Sequence, residues 1–393
     1  MKEFKTILDT YHKLDLTKRK VALATVMQVK GSSYRSPGAR MLMMDDGRWV
    51  GSISGGCLEG DALRKARQVI INKIPRTVTY DTNNDEGNQI GIGLGCNGII
   101  DILIEPIDVT SNSNPIKQLE SFITYKEIGV VATVFESGNK AIPVGEKVVL
   151  SAYESIEGEN EYLIDLLSGD LIDVKSKVKS VIKEYVVDGD VKVYFEIIEP
   201  CIDLLIFGGG FDAKPVVELA HTLGWNVRVT DECMAHLFPI NFPHADQVVA
   251  CQRDYVHKEI EISPYTAVVM MSHNFNYDLA VLKQIIDCDA AYIGILGPLS
   301  RAQKLFKALD HNKIEITDRA KEILHYPIGL DIGAETPEDI AISIIAEIRA
   351  KFSNRSGGFL KYRKGPIHHK DGKEDQVFKQ VYLKHFFQNR KSN

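Results

Sequence analysis

The sequence predicts an α/β protein in two halves: an N-terminal mixed α/β domain followed by a doubly wound parallel-sheet domain. Three observations predict it. Apolar, β-branched runs alternate with helix-periodic stretches along most of the 393 residues. The first half sets those runs among Gly/Ser-rich turns and one hairpin signal, Asp45-Asp46-Gly47. From Asp203 onward, short apolar runs recur between helical segments, the pattern of parallel strands buried on both faces.

The elements follow in order. MKEFKTILDTYHKLD reads as an amphipathic helix and lacks the continuous apolar stretch of a signal peptide. No run reaches the ~18 apolar residues of a membrane span. A cytoplasmic location with no membrane partner is therefore expected. VALATVMQV (21–29) predicts a strand, and KGSSYRSPGAR a loop carrying Arg35 and Arg40. RMLMM and RWVGSI form the arms of the hairpin. GSISGGCLEGDALRKA places Gly55, Gly56 and Cys57 in a turn and predicts a helix over 58–71. RTVTYD and IIDILIEP predict strands on either side of a second glycine-rich turn, GIGLGCNG, which holds Cys96. SNSNP (111–115) reads as a surface linker. The region 110–200 is less distinctive, with strands near 130–136 and 191–198, and is assigned to a first domain spanning 1–200. The second domain spans 201–350. It closes on TPEDIAISIIAEIRA, with Thr336 as N-cap, Pro337 at N1 and Asp339 at N3.

The six cysteines contain no C-x-x-C pair, which argues against a disulfide scaffold and a zinc ribbon. Charge is uneven. Residues 351–393 carry eleven Lys/Arg against three Asp/Glu, +8, while the preceding 350 carry 36 against 50, −14. The basic tail, including Arg363, Lys364, His368 and His369, could grip an anionic ligand; a solvated tail is the competing reading. No nucleic-acid partner is expected.

Gly208, Gly210 and Ala213 match the dinucleotide fingerprint G-x-G-x-x-A. They follow the strand at 204–207 and open a helix, and Asp231 ends the next strand, 21 residues after Gly210. This context makes the domain Rossmann-like and predicts a pyrophosphate at the helix N-terminus with Asp231 on a ribose, favouring NAD or another dinucleotide lacking a 2′-phosphate. A Rossmann-like fold without a nucleotide is the alternative. His273, in Ser272-His273-Asn274 after the strand YTAVVMM, is the candidate acid/base. With Asp231 it would serve an NAD(P)-dependent oxidoreductase. A loop histidine with only hydrogen-bonding duties is the competing reading.

Cys57 and Cys96 each sit in a glycine turn. At the start of a helix, free amides favour a thiolate, and glycines let amides converge as an anion nest, although Glu59 and Asp61 oppose a lowered thiol pKa. An incidental cysteine beside a bulge or cap is the alternative for each.

The chain resembles the XdhC/CoxI family, accessory proteins of xanthine dehydrogenase and related molybdenum hydroxylases. The resemblance rests on GSSYRSPGARMLMMDDG, GSISGGCLEGDAL, Tyr80-Asp81, GLGCNG, LLIFGGGFDAKPVVELAHTLGWNV, SHNFNYD, YIGILGPLSR, YPIGLDIGAETPEDIAISIIAEI and GPIH. It implies binding of the molybdenum cofactor, support for its sulfuration by a cysteine desulfurase, and insertion into an apo-hydroxylase such as xanthine dehydrogenase. A homodimer is the default expectation. The candidate cofactor-binding residues are Arg35, Gly55, Gly56, Cys57, Glu59 and Cys96, with Gly208, Gly210, Ala213 and Asp231 for a nucleotide; Cys57 is the candidate molybdenum contact. At Cys233 the chain departs from the family, which often has Arg there, and this puts nucleotide binding in doubt.

Overall fold

The computed structural model describes residues 1–31, 33–81, 98–111, 114–151 and 153–362. Cys96 and the tail residues Arg363, Lys364, His368 and His369 lie outside the described residues. The chain divides into two compact units, Met1–Pro200 and Cys201–Asn393.

The first unit holds α1 (Lys2–His12), β1 (Val21–Gly31), β2 (Arg40–Met44), β3 (Trp49–Gly51), α2 (Glu59–Asn72), β4 (Arg76–Asp81) and β5 (Gly98–Pro106). It continues with α3 (Pro115–Thr124), β6 (Gly129–Ser137), β7 (Lys147–Leu150), β8 (Ile156–Gly158), α4 (Glu161–Lys177), β9 (Val181–Val186) and β10 (Asp190–Ile198). Two five-stranded sheets result, ordered β3-β2-β1-β5-β4 and β8-β7-β6-β10-β9. All their pairings are antiparallel. The region that is indistinct in sequence is thus a second sheet. The expected surface linker is partly a helix start: Asn114 is buried and accepts from the Ile116 amide, with Pro115 opening α3.

Alternation along the strands builds the layers. Ala22, Ala24 and Val26 of β1 pack on Ala62, Ala66 and Val69 of α2. The other face of that sheet meets the second sheet. Leu23 and Leu42 cluster with Val131 and Ile198, and Met27 and Leu103 with Phe135 and Tyr194. The far face of the second sheet is covered by Leu163, Leu167, Leu171 and Val174 of α4. The order is helix, sheet, sheet, helix.

The interface between the sheets is not purely apolar. Arg40 donates through Nη1 to Glu196 Oε1 (2.9 Å) and through Nη2 to Glu196 Oε2 (2.6 Å). Lys147 pairs with Glu105 beside it. All four side chains are largely buried, and with Thr25 and Thr133 they line a cavity of about 20 Å³, room for about one water. The bidentate fork and the Arg40 guanidinium lying 4.6 Å from the Phe4 ring centre stand in for lost hydration. Gly38, at φ +89°, leaves the room that Glu196 occupies: a Cβ there would come 2.6 Å from its Oε1.

The second unit holds β11 (Asp203–Phe207), α5 (Ala213–Thr222), β12 (Asn226–Asp231), β13 (Gln247–Ala250), α6 (Val256–Glu259), β14 (Thr266–Met270), α7 (Phe275–Ile285) and β15 (Tyr292–Ile295). It ends with α8 (Leu299–His311), α9 (Asp318–Ile323), β16 (Leu324–His325) and α10 (Pro337–Phe352). The six strands are parallel, ordered β13-β12-β11-β14-β15-β16. Helices α5 and α10 cover one face, and α6 to α9 the other. The strand order reverses between β11 and β14, the place where such sheets open a crevice at their carboxyl ends. The cap of α10 is a capping box between Thr336 and Asp339.

Removing Glu196 leaves the buried Arg40 charge without its bidentate counter-ion. Glu196→Gln is expected to destabilise the first unit by about 3–5 kcal/mol. Replacing both partners, as Arg40→Met with Glu196→Leu, should recover most of that. Urea unfolding of the three proteins measures it. An equal loss in the single and double variants would exclude the isolated charge as the cause.

Candidate functional site

The Cys57 turn is organised by Glu59. That side chain is 3% exposed and lies under its own loop. Its Oε1 accepts from the amides of Ile53 (3.1 Å) and Ser54 (3.0 Å) and from Ser52 Oγ (2.8 Å). Its Oε2 accepts from the amides of Gly56 (3.0 Å) and Leu58 (3.1 Å) and from Ser54 Oγ. The converging amides expected from the glycine spacing are present, and the anion they hold is the chain's own carboxylate. Burial raises the Glu59 pKa, but the donors from Ser54, Ser52 and the backbone outweigh it and bring it down to about 2.

Cys57 itself precedes Leu58, the N-cap of α2, and so lies in the turn just before the helix. It is half-buried, with Sγ 4.0 Å from the Ser54 carbonyl oxygen. Gly55 and Gly56 adopt φ +88° and +127°, and a Cβ at Gly56 would meet nothing within 4 Å. Gly55 is covered by Tyr34: a Cβ there would lie 2.6 Å from the ring. Tyr34 is nevertheless 68% exposed, so its outer face is open. Arg35, in the same loop, is ion-paired with Glu3 of α1, and Glu3 also accepts from the Arg40 amide. The loop is therefore strapped to the N-terminal helix. Of the other described cysteines, Cys233 is exposed and Cys201 and Cys288 are half-buried. Cys251 is buried, and its thiol is pushed up to about 11, chiefly by burial.

In the second unit, the glycine turn Gly208-Gly209-Gly210 joins β11 to α5 as expected, with Ala213 as the first residue of the helix. Asp231 is buried at the end of β12. Its Oδ2 accepts from the Gly209 amide (3.0 Å) and lies 2.9 Å from His236 Nδ1, and its Oδ1 accepts from the Cys233 amide (2.9 Å). Burial raises its pKa, yet the two amides and His236 hold it below the usual carboxylate range. His273 follows β14 with φ +57°, a left-handed conformation uncommon for a residue other than glycine. Its Nε2 lies 2.7 Å from Oδ2 of Asp212, a residue that the sequence does not single out. Its place in the x-x positions of the fingerprint is the signal that could have found it. Nearby, buried Asp278 accepts from Ser272 Oγ (2.5 Å) and Arg301 Nη2 (2.6 Å), which ties the loop after β14 to α8. Among the described residues, no three His, Cys, Asp or Glu are grouped to hold a metal ion, and no helix is long and apolar enough to cross a membrane.

Comparison with known proteins adds weight to these motifs. The family model for the XdhC and CoxI family matches residues 16–81, which include the Cys57 turn, and that for the XdhC Rossmann domain matches 204–348. A Bacillus subtilis protein described as a probable component of xanthine dehydrogenase is 30% identical over 348 residues, covering 88% of this chain and 97% of its own. The chain belongs to the XdhC and CoxI family. A second relative is the Escherichia coli protein named "Molybdenum cofactor insertion chaperone PaoD", 24% identical over 332 residues, 83% of this chain and 81% of its own. A solved structure from Bacillus halodurans, described as a xanthine dehydrogenase, superposes with a TM-score of 0.72 at 30% identity, covering 90% of this chain and 97% of that one.

A carboxylate whose folded pKa is depressed stabilises the fold above its unfolded value and loses that contribution as pH falls through the folded value. The gap between 4.5 and about 2 at Glu59 corresponds to roughly 3 kcal/mol. Glu59→Gln is expected to lose about that much at pH 7. The difference from wild type should shrink as pH is lowered from about 4.5 towards 2. Denaturant melts across that pH series give the measurement. A difference that does not change with pH would rule out the ionised carboxylate as the element holding the turn.

Proposed function

We propose that this protein is an accessory factor of a molybdenum hydroxylase of the xanthine dehydrogenase type, and that it receives the molybdenum cofactor as cargo and delivers it to the apo-enzyme. The observation that carries the reading is the Cys57 thiol, half-buried on a turn that Glu59 locks from beneath. A sulfur held in a fixed position suits a soft metal centre or a sulfur atom in transfer. The near full-length likeness to the Bacillus subtilis and Escherichia coli relatives supports the same role.

In this reading the residues of the turn divide the labour. Cys57 faces the metal–sulfur end of the cargo. Tyr34, seated on Gly55 two residues before the thiol, offers an open aromatic face to the flat pterin. Four amides of the turn are already bonded to Glu59 and that of Gly55 to Ser52 Oγ, so in this reading the cargo's phosphate is met chiefly by other groups. In this reading a cysteine desulfurase supplies the sulfur that replaces an oxo ligand of the cargo, and the protein works in the cytoplasm as a homodimer. Cys96 serves in the second glycine turn.

Cys57→Ala should fold normally, because the side chain is small and only half-buried. It is expected to retain at least tenfold less molybdenum cofactor, a difference of about 1.4 kcal/mol or more, and to lose activation of an apo-hydroxylase. Cys96→Ala should show the smaller effect. Cofactor retention after gel filtration and activation of the apo-enzyme measure both. Wild-type retention and activation by Cys57→Ala would reduce the turn to a structural role.

A further inference from the structure

We infer that the glycine fingerprint of the parallel-sheet unit is closed to dinucleotides, because the chain's own Asp212 holds the position that a pyrophosphate would need. This concerns the second unit alone and is independent of the role proposed for Cys57.

A pyrophosphate at such a turn requires glycines left bare for its approach, backbone amides free to donate, and no competing negative charge at the helix N-terminus. The three glycines do other work. A Cβ on Gly208, at φ +122°, would lie 2.6 Å from the backbone of Met271 and Ser272, so this glycine lets β11 and the end of β14 approach. A Cβ on Gly209 would lie 2.8 Å from the His236 carbonyl oxygen, so this one lets the segment after β12 close over the turn. At Gly210 the neighbour is Asp212, whose Oδ1 lies 2.9 Å from where a Cβ would be. The space that the fingerprint reserves for phosphate is lined by a carboxylate.

That carboxylate belongs to the N-cap residue of α5, yet it makes no capping bond. Its Oδ2 is paired with His273, and its Oδ1 is buried with no hydrogen-bond partner. Lys214, the cation in the first turn of α5, is directed elsewhere: its Nζ donates to Asn241 Oδ1 at 3.0 Å and lies 5.6 Å from the Phe211 ring centre. The Gly209 amide is already bonded to Asp231. Asp231, the residue that would take the ribose hydroxyls, is buried and holds three partners of its own. An incoming pyrophosphate would meet like charge, an occupied amide and an occupied ribose acceptor.

The test is titration of the full-length protein with NADH, NADPH and FAD, followed by fluorescence. Wild type is expected to show no saturation below about 1 mM. Asp212→Asn keeps the size of the side chain and a hydrogen bond to His273 but removes the charge. It should bind NADH at least tenfold more tightly than wild type. Asp212→Ser, a good N-cap residue, gives the same comparison if the amide disturbs the turn, and circular dichroism checks both folds. Micromolar binding by wild type, or binding by the folded variants no tighter than wild type, would overturn the inference.

Discussion

A buried backbone amide must find an acceptor, and in both described glycine turns of this chain carboxylates of the chain itself provide one. Glu59 gathers four amides and two hydroxyls around the Cys57 turn. Asp231 takes one amide from the Gly208 turn and one from the residues after β12. Glycine allows the backbone to bend until its amides converge, and convergent amides attract negative charge. Whether that charge arrives with a ligand or is built into the chain separates a binding loop from a structural one.

The two turns lead to different readings because of what lies beside the internal anion. Next to Glu59 stands a half-buried thiol, flanked by an exposed tyrosine ring and by Gly56, whose side-chain position is open. Five amides of the turn are satisfied within the chain, so the loop is well tied, and its available chemistry is chiefly sulfur and aromatic surface. Next to Asp231 stand His236 and, across the turn, the Asp212–His273 pair. There the satisfied groups and the extra carboxylate leave no welcome for phosphate. A cargo-holding role draws on the first turn and asks nothing of the second beyond its fold.

The first unit adds a polar constraint of another kind. Two sheets packed face to face could have met through apolar side chains alone, as Met27, Leu103, Phe135 and Tyr194 do. Instead Arg40–Glu196 and Lys147–Glu105 cross the interface. A bidentate pair has one good geometry, so it favours one register of sheet on sheet. Arg40 lies at the start of β2, and the loop before it carries Tyr34 and Arg35. The strap from Glu3 to Arg35 and to the Arg40 amide links that loop, and the ring covering Gly55, to the same frame.

Local chemistry made much of this legible in the sequence. The hairpin at Asp45-Asp46-Gly47, the helix after Cys57, the capping box of α10 and the strand–glycine–helix order at Gly208 all depend on residues within a few positions of each other. The fold class of the second unit follows from them, because apolar runs too short to be helices must pair as strands. The second sheet of the first unit was harder to see. Its strands β7, β8 and β9 are short, although the spacing of Leu163, Leu167, Leu171 and Val174 after Asn160 was a helix signal for α4. Tertiary structure alone decided who bonds to whom. The sequence shows Glu59 two residues after Cys57 but not that its carboxylate folds back under the turn. It shows Asp212 inside the fingerprint but not His273, 61 residues away, closing on it. It shows Arg40 but not Glu196, 156 residues further on. A motif fixes backbone shape through nearby residues, whereas the charge and occupancy of the site depend on side chains that only folding brings within hydrogen-bonding distance.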